Sequence, residues 1–171
     1  MQCIADIKLN DIGNTNEVAL TQLVRMGFDA VIANPFMGAR ELASLVKKAH
    51  QLNVGVIALV YMSHPDAKDG YGLETRHGML YRTFLDRAAR ADTDGIVVGA
   101  TQTEILKEIM LEKKQAGLSI PVYSPGVGAQ GGDVQTAMKS GTDYLIVGRS
   151  IIEAKDPADA ARMLQRKALA G

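Results

Sequence analysis

Short apolar runs alternate with longer amphipathic stretches along the whole chain. The apolar runs are Cys3–Leu9, Ala30–Asn34, Gly55–Tyr61, Gly95–Gly99, Pro121–Ser124 and Tyr144–Gly148. They are rich in Val and Ile and mostly apolar at both odd and even positions, the pattern of parallel strands covered on both faces. Between them lie helical patterns. Glu17–Met26 carries Val18, Leu20, Leu23 and Val24 and meets Gly27, a helix stop. Ala39–Leu52 sets Leu42, Leu45, Val46 and Ala49 on one face. Thr75–Ala91 and Thr103–Gln115 behave similarly, and Gly117 follows the second. Asp133–Lys139 and Asp156–Leu169 complete the set, with Asp133 and Asp156 as N-caps and Pro157 at a first helical position.

The sum is six βα units in one α/β domain spanning residues 1–171, with no linker or low-complexity segment. Two architectures accommodate six units: an open doubly wound sheet, or a (β/α)8 barrel of which six units are present. A complete barrel takes about 250 residues. Periodicity alone does not separate the two.

Composition narrows the function classes. The chain has 171 residues, 47% of them hydrophobic, and 19 basic against 19 acidic side chains. A balanced charge gives no footprint for nucleic acid or a membrane surface. No apolar run approaches the roughly 20 residues that cross a bilayer. The single cysteine, Cys3, forms no internal disulfide, and no secretory leader pattern precedes it, which points to the cytoplasm. Cys3 and the three histidines, His50, His64 and His77, show no metal-ligand spacing, and no Gly-x-Ser-x-Gly elbow occurs. No metal is expected.

Four segments carry candidate chemistry. In Asp6-Ile7-Lys8-Leu9-Asn10-Asp11-Ile12, Asp6 and Lys8 alternate along one strand and project from the same face. That is either a strand-end ion pair or a reactive pair. Ser124-Pro125-Gly126-Val127-Gly128-Ala129-Gln130-Gly131-Gly132-Asp133 joins a strand to a helix. Its glycines let the backbone approach a ligand and aim N–H groups at an anion, although a flexible loop has the same composition. It matches neither the Walker pattern nor the dinucleotide fingerprint. Ile146-Val147-Gly148-Arg149-Ser150 puts a guanidinium after the last strand. In β/α barrels the loops after the last two strands often bind phosphate, and the glycine loop and Arg149 occupy those two places. In Tyr61-Met62-Ser63-His64-Pro65, Ser63 is suited to the edge of a heterocycle; His64 is either a base or, as is commoner for a histidine before proline at a strand end, structural.

Ala5-Asp6-Ile7-Lys8-Leu9-Asn10-Asp11-Ile12 resembles the Asp-x-Lys-x-x-Asp signature of the orotidine 5'-phosphate decarboxylase family. Met62–Pro65, the Ser124–Asp133 loop and Ile146–Ile151 resemble its archaeal members in the same order, and the likeness runs over essentially the whole chain. It implies a TIM (β/α)8 barrel of the ribulose-phosphate-binding type and a cofactor-free decarboxylation of orotidine 5'-monophosphate to uridine 5'-monophosphate. It further implies Asp6, Lys8 and Asp11 as catalytic residues, with Asp6 against the substrate carboxylate and Lys8 as proton donor. Asp11, Ile12 and Thr15 are implied to reach the neighbouring site of a homodimer. Ser63 is implied at the pyrimidine, Gln130, Gly148 and Arg149 at the phosphate, and Pro125 and Gly126 at the start of a closing loop. In the family two βα units precede the signature and supply a ribose-binding aspartate and a further lysine; this sequence is expected to start at the third strand. The alternatives are a sugar-phosphate enzyme of the same superfamily, of the 3-hexulose-6-phosphate synthase kind, or a phosphate-binding remnant without turnover.

Overall fold

The computed structural model describes residues 1–170. All six expected strands form: β1 Ile4–Leu9, β2 Ala30–Ala33, β3 Gly55–Tyr61, β6 Gly95–Val98, β7 Val122–Pro125 and β8 Tyr144–Ile146. They hydrogen-bond in the order β1-β2-β3-β6-β7-β8, and the resolved pairings β1–β2, β2–β3 and β7–β8 are parallel. The two remaining strands, β4 Glu74–Thr75 and β5 Gly78–Met79, make a separate antiparallel hairpin. The helices are α1 Gly13–Arg25, α2 Ala39–Gln51, α3 Leu80–Ala91, α4 Thr103–Ala116, α5 Val134–Lys139, α6 Arg149–Ile152 and α7 Pro157–Leu169.

The chain divides into two compact units. The first comprises Met1–Val60 and Tyr71–Ile96, the second Tyr61–Gly70 and the chain from Val97 onward. In the first unit, Leu20, Leu42, Leu45, Val46 and Ala49 pack onto Val31, Ala33 and Val56. Leu42, Leu45, Val46 and Ala49 are the stripe that α2's periodicity requires. Phe84 of α3 meets the rings of Phe36 and Tyr71 edge-on, at 4.9 and 5.9 Å. In the second unit, Ala100, Val127, Val134 and Ala137 are the buried nucleus, and Leu145, Leu164 and Ala168 pack against it.

Cover on both faces holds for the middle strands only. Six of the seven residues of β3 and all four of β6 are buried. β1 and β8, at the two ends of the strand order, have exposed positions instead, so their apolar runs are not evidence of two-sided packing.

Local signals set several element ends. Asp133 accepts the Thr136 N–H at 2.8 Å, and Asp156 accepts that of Asp159 at 2.9 Å, each capping its helix as expected. Gly117 adopts φ 65° and closes α4. Two helix starts differ from the sequence reading. α1 begins at Gly13 rather than Glu17, because Asn16 is buried and ties down the preceding loop. Its side chain accepts from the Asp11 N–H at 3.1 Å and donates to the Asp11 carbonyl at 2.6 Å. α3 begins at Leu80 rather than Thr75. There the Thr75 hydroxyl accepts from the His77 N–H and donates to the Gly78 carbonyl, and Gly78 takes φ 96°, which makes the β4–β5 turn. Arg149 opens the short helix α6 instead of extending a strand tip.

The Asp133 cap generates a pH dependence. Hydrogen bonds from the Thr136 backbone and hydroxyl hold the Asp133 carboxyl below its ordinary value of 3.8. A carboxylate depressed in the folded state adds stability above its unfolded pKa and loses it as pH falls through the folded value. Acid unfolding of Asp133→Asn is therefore expected to show a shallower loss of stability than the unchanged chain as pH drops from 5 through the carboxylate range. Parallel curves would contradict the cap's ionic character.

Candidate active site

The residues expected to carry chemistry fall into two groups, one in each unit. In the first unit, Lys8 Nζ donates to Asp6 Oδ1 at 2.8 Å. The side chains are 41% and 51% exposed, so this is a half-solvated pair rather than a buried one. Such pairs contribute about 0.2–1 kcal/mol. Lys8 adopts φ 50°, and the β1–β2 register slips between Ala5 and Leu9. A positive φ costs a residue with a Cβ roughly 1–2 kcal/mol. The conformation that brings the ammonium to the carboxylate thus costs about as much as the pair returns, or more. Stability does not explain it, and local strain of this kind concentrates where a side chain must be aimed.

Past the end of β1, Asp11 Oδ1 accepts the N–H of Ile12 at 2.8 Å. Asp11, Ile12 and Thr15 are exposed, and Ile12 presents 71% of its surface at the start of α1. Asn16 positions this turn and was not singled out from sequence. A polar residue in an Asn-Thr-Asn run carries no signal that it will be buried.

In the second unit the site is built by close backbone approach. The β3 strand ends at Tyr61, whose carbonyl accepts from the Gly99 N–H at 2.9 Å. The Tyr61 hydroxyl's pKa is raised by burial and, secondarily, by the nearby Asp69 carboxylate. A Cβ on Gly99 would lie 2.8 Å from the Ser63 nitrogen, so only glycine admits Ser63 there. Thr101 donates its hydroxyl to the Ser63 carbonyl at 2.6 Å, and Ser63 Oγ donates to Gln130 Oε1 at 2.6 Å. Gly126 takes φ 98°, and a Cβ there would meet Ser63 Cβ at 2.8 Å and Gln130 Oε1 at 2.9 Å. Ser63, Gly126 and Gln130, separated along the chain, are therefore brought together.

Around them Ser63, His64, Pro65, Thr101, Gln102 and Gln130 line a cavity of about 280 Å³. The His64 side chain is exposed, and its carbonyl accepts from Ala67 to start the single-turn helix Pro65–Asp69. Thr101 and Gln102, which line this cavity, and Gly99, which packs against Ser63, were missed from sequence. The Gly-Ala-Thr-Gln run after β6 sits where a strand-end loop would mark it.

The glycine loop differs from an open anion cradle. The N–H of Gly128 bonds to the Gly132 carbonyl, that of Gly131 to Gly128, and that of Gly132 to Gly126, at 2.8–3.0 Å. Those donors face into the loop, because backbone groups this crowded satisfy one another first. The Ala129 N–H reaches Ser150 Oγ at 3.3 Å, and Gly128 leaves room for that same hydroxyl. The loop after β7 thus touches the residue next to Arg149, so the two phosphate candidates of the unit are neighbours. Gly148 and Arg149 are exposed. Among the described residues, no three His, Cys, Asp or Glu side chains gather in a way that could hold a metal ion.

In-order βα units, with a charged pair at one strand and a glycine loop beside an arginine at the last two, are the features of a β/α protein of the TIM-barrel class. The chain belongs to the Orotidine 5'-phosphate decarboxylase / HUMPS family, whose profile matches residues 1–164. The orotidine 5'-phosphate decarboxylase of Pyrococcus abyssi is 35% identical over 162 residues, which is 95% of this chain and 71% of that protein. That of Methanosarcina mazei is 37% identical over 158 residues, covering 92% of this chain and 68% of the relative. The crystal structure of orotidine 5'-monophosphate decarboxylase from Methanocaldococcus jannaschii, complexed with the inhibitor BMP, superposes with a TM-score of 0.85 at 32% identity. It covers 98% of this chain, which spans 73% of it. The Pyrococcus horikoshii enzyme gives a TM-score of 0.79, also at 32% identity, covering 99% of this chain and 74% of its own.

The close approach of Gly99 to Ser63, which lines the cavity, leaves no room for a methyl group. Gly99→Ala should destabilise the chain by about 1–3 kcal/mol through overpacking, measured by denaturant unfolding, and should shift the amide resonances of Ser63 and Gln130. Unchanged stability with unchanged resonances would show that Ser63 is not held by this contact.

Proposed function

We propose that this chain decarboxylates orotidine 5'-monophosphate to uridine 5'-monophosphate in pyrimidine nucleotide biosynthesis. The observation that carries the reading is the Asp6–Lys8 contact at 2.8 Å, in a chain matched to the family over residues 1–164. The reaction breaks the bond between a ring carbon and its carboxyl group. Carbon dioxide leaves, the electron pair stays on the ring carbon, and a proton must replace the lost group. Asp6 sets a fixed carboxylate against that of the substrate, which disfavours the charged ground state relative to the departing neutral gas. Lys8 offers an ammonium that stabilises the growing carbanion, delivers the proton from Nζ and is reprotonated by water.

The remaining assignments follow the same reading. Ser63 contacts the pyrimidine. With Gln130 Oε1 engaged by Ser63, the Gln130 Nε2 donors are left for a phosphate oxygen, and Arg149 supplies paired guanidinium donors. Pro125 and Gly126 begin the loop that closes on the ligand, and Gly148 lets the chain pass close to the phosphate. Asp11, exposed Ile12 and Thr15 face a second copy, giving a cytoplasmic homodimer with shared sites. No cofactor enters the chemistry. Residues 1–171 make one domain, in keeping with a family match that runs over residues 1–164.

Lys8→Ala should lower turnover by roughly 10²–10⁴-fold, the usual worth of a general acid, with binding of uridine 5'-monophosphate retained. Turnover within a few-fold of the unchanged chain would remove Lys8 from the mechanism. Arg149→Ala should weaken uridine 5'-monophosphate far more than uridine in a titration by calorimetry. Equal losses for the two would show that Arg149 does not read phosphate.

A further inference from the structure

A larger cavity lies elsewhere in the second unit, where nothing in the proposed decarboxylation uses it. Its volume is about 750 Å³, and it lies between the C-terminal part of α4, the start of β7 and the start of β8. Met110, Leu111, Leu118, Ile120, Pro121 and Tyr144 give it apolar walls. Its polar and charged groups are Lys113 and Lys114 from α4, Ser119, and Asp143 and the Tyr144 hydroxyl from the β8 end.

Lys113 stands out among these. The residue is only 6% exposed, yet it lines the cavity. Its Nζ meets Met110 Sδ at 3.8 Å, a weak acceptor. The Asp143 carboxylate, an opposing charge that acts on Lys113, is committed through Oδ2 to the Val122 N–H at 2.8 Å. Burying an ammonium against a thioether and aliphatic carbons disfavours its charged form. Burial accordingly pushes the Lys113 pKa down from its ordinary value of 10.5, and Asp143 offsets this only in part. The neutral amine is the nucleophilic form of lysine, and desolvation in an apolar pocket is a recognised way to raise its share.

We propose that this cavity is a covalent capture site, in which Lys113 Nζ condenses with aldehydes that carry an apolar body. The amine nitrogen adds to the carbonyl carbon, the carbonyl oxygen leaves as water, and an imine joins the ligand to the chain. No oxidant or reductant takes part. The apolar walls select for the body of the ligand, and Lys114 at the rim favours a body with an anionic end.

The test is labelling of the whole chain with 2-naphthaldehyde, trapped by cyanoborohydride and mapped by peptide mass spectrometry across a pH series. Lys113 should be labelled ahead of every exposed lysine, with half-maximal labelling at a lower pH. Asp143→Asn removes the charge that offsets burial, so it should move that midpoint lower still. Ile120→Trp, which narrows the cavity and leaves the amine in place, should suppress labelling by 2-naphthaldehyde but not by formaldehyde. Uniform labelling of all lysines, or a midpoint at Lys113 equal to that of exposed lysines, would overturn the proposal. So would equal effects of Ile120→Trp on both aldehydes. None of these readouts depends on decarboxylation.

Discussion

A lysine ammonium and an aspartate carboxylate two residues apart on β1 meet at 2.8 Å, at a place where the strand leaves regular geometry. Two alternate residues of a regular strand share a face but stand roughly 6–7 Å apart along it. Contact between their charged ends is gained here with a positive φ at Lys8 and a slipped register with β2. The half-exposed pair returns too little energy to account for that geometry. Aimed charge does account for it, and the proposed chemistry follows: a carboxylate to oppose one on the substrate, and an ammonium to protonate the carbon left behind. The ends of β1 keep the pair in place, since Ala5 and Leu9 are buried and paired with Val31 and Ala33.

The second unit uses a different device. Its cavity is shaped by where side chains are absent. Gly99 and Gly126 bring two loops against Ser63, and the hydroxyls of Ser63 and Thr101 join them by hydrogen bonds of 2.6 Å. Tyr61 and Val98, the last residues of β3 and β6, are both buried. A rigid strand carrying a short polar loop is a common way of holding a binding group steady. The glycine loop after β7 satisfies several of its own donors internally, which gives it a defined shape while leaving the side chains of Gln130 and Arg149 outward.

Much of this was legible in the sequence. The strands announced themselves as Val- and Ile-rich runs, and the α2 stripe, the Asp133 and Asp156 caps and the Gly117 stop are local signals that packing reinforced. That Asp6 and Lys8 share a face was legible from alternation; their exposure was not, because the same apolar run suits a buried strand and an edge strand. Illegible features depend on what a side chain or a glycine meets once the chain is folded. Asn16 is a helix residue only because its side chain binds Asp11. Thr75–Met79 has the composition of a helix turn and becomes a hairpin through the Thr75 hydroxyl and Gly78. Gly99 carries no mark of its own; its role exists only because Ser63, 36 positions earlier in the numbering, comes to lie against it.

The most direct measurement of the central claim follows the carboxyl group itself. Orotidine 5'-monophosphate labelled with carbon-13 at the carboxyl carbon is incubated with the purified chain and a chelator in deuterated water, and the products are read by nuclear magnetic resonance. The account predicts release of the label as carbon dioxide and hydrogencarbonate, with one deuterium on the ring carbon that carried it in the uridine 5'-monophosphate formed. Label that stays on the nucleotide while the chain binds it would contradict the assignment of Asp6 and Lys8 to decarboxylation.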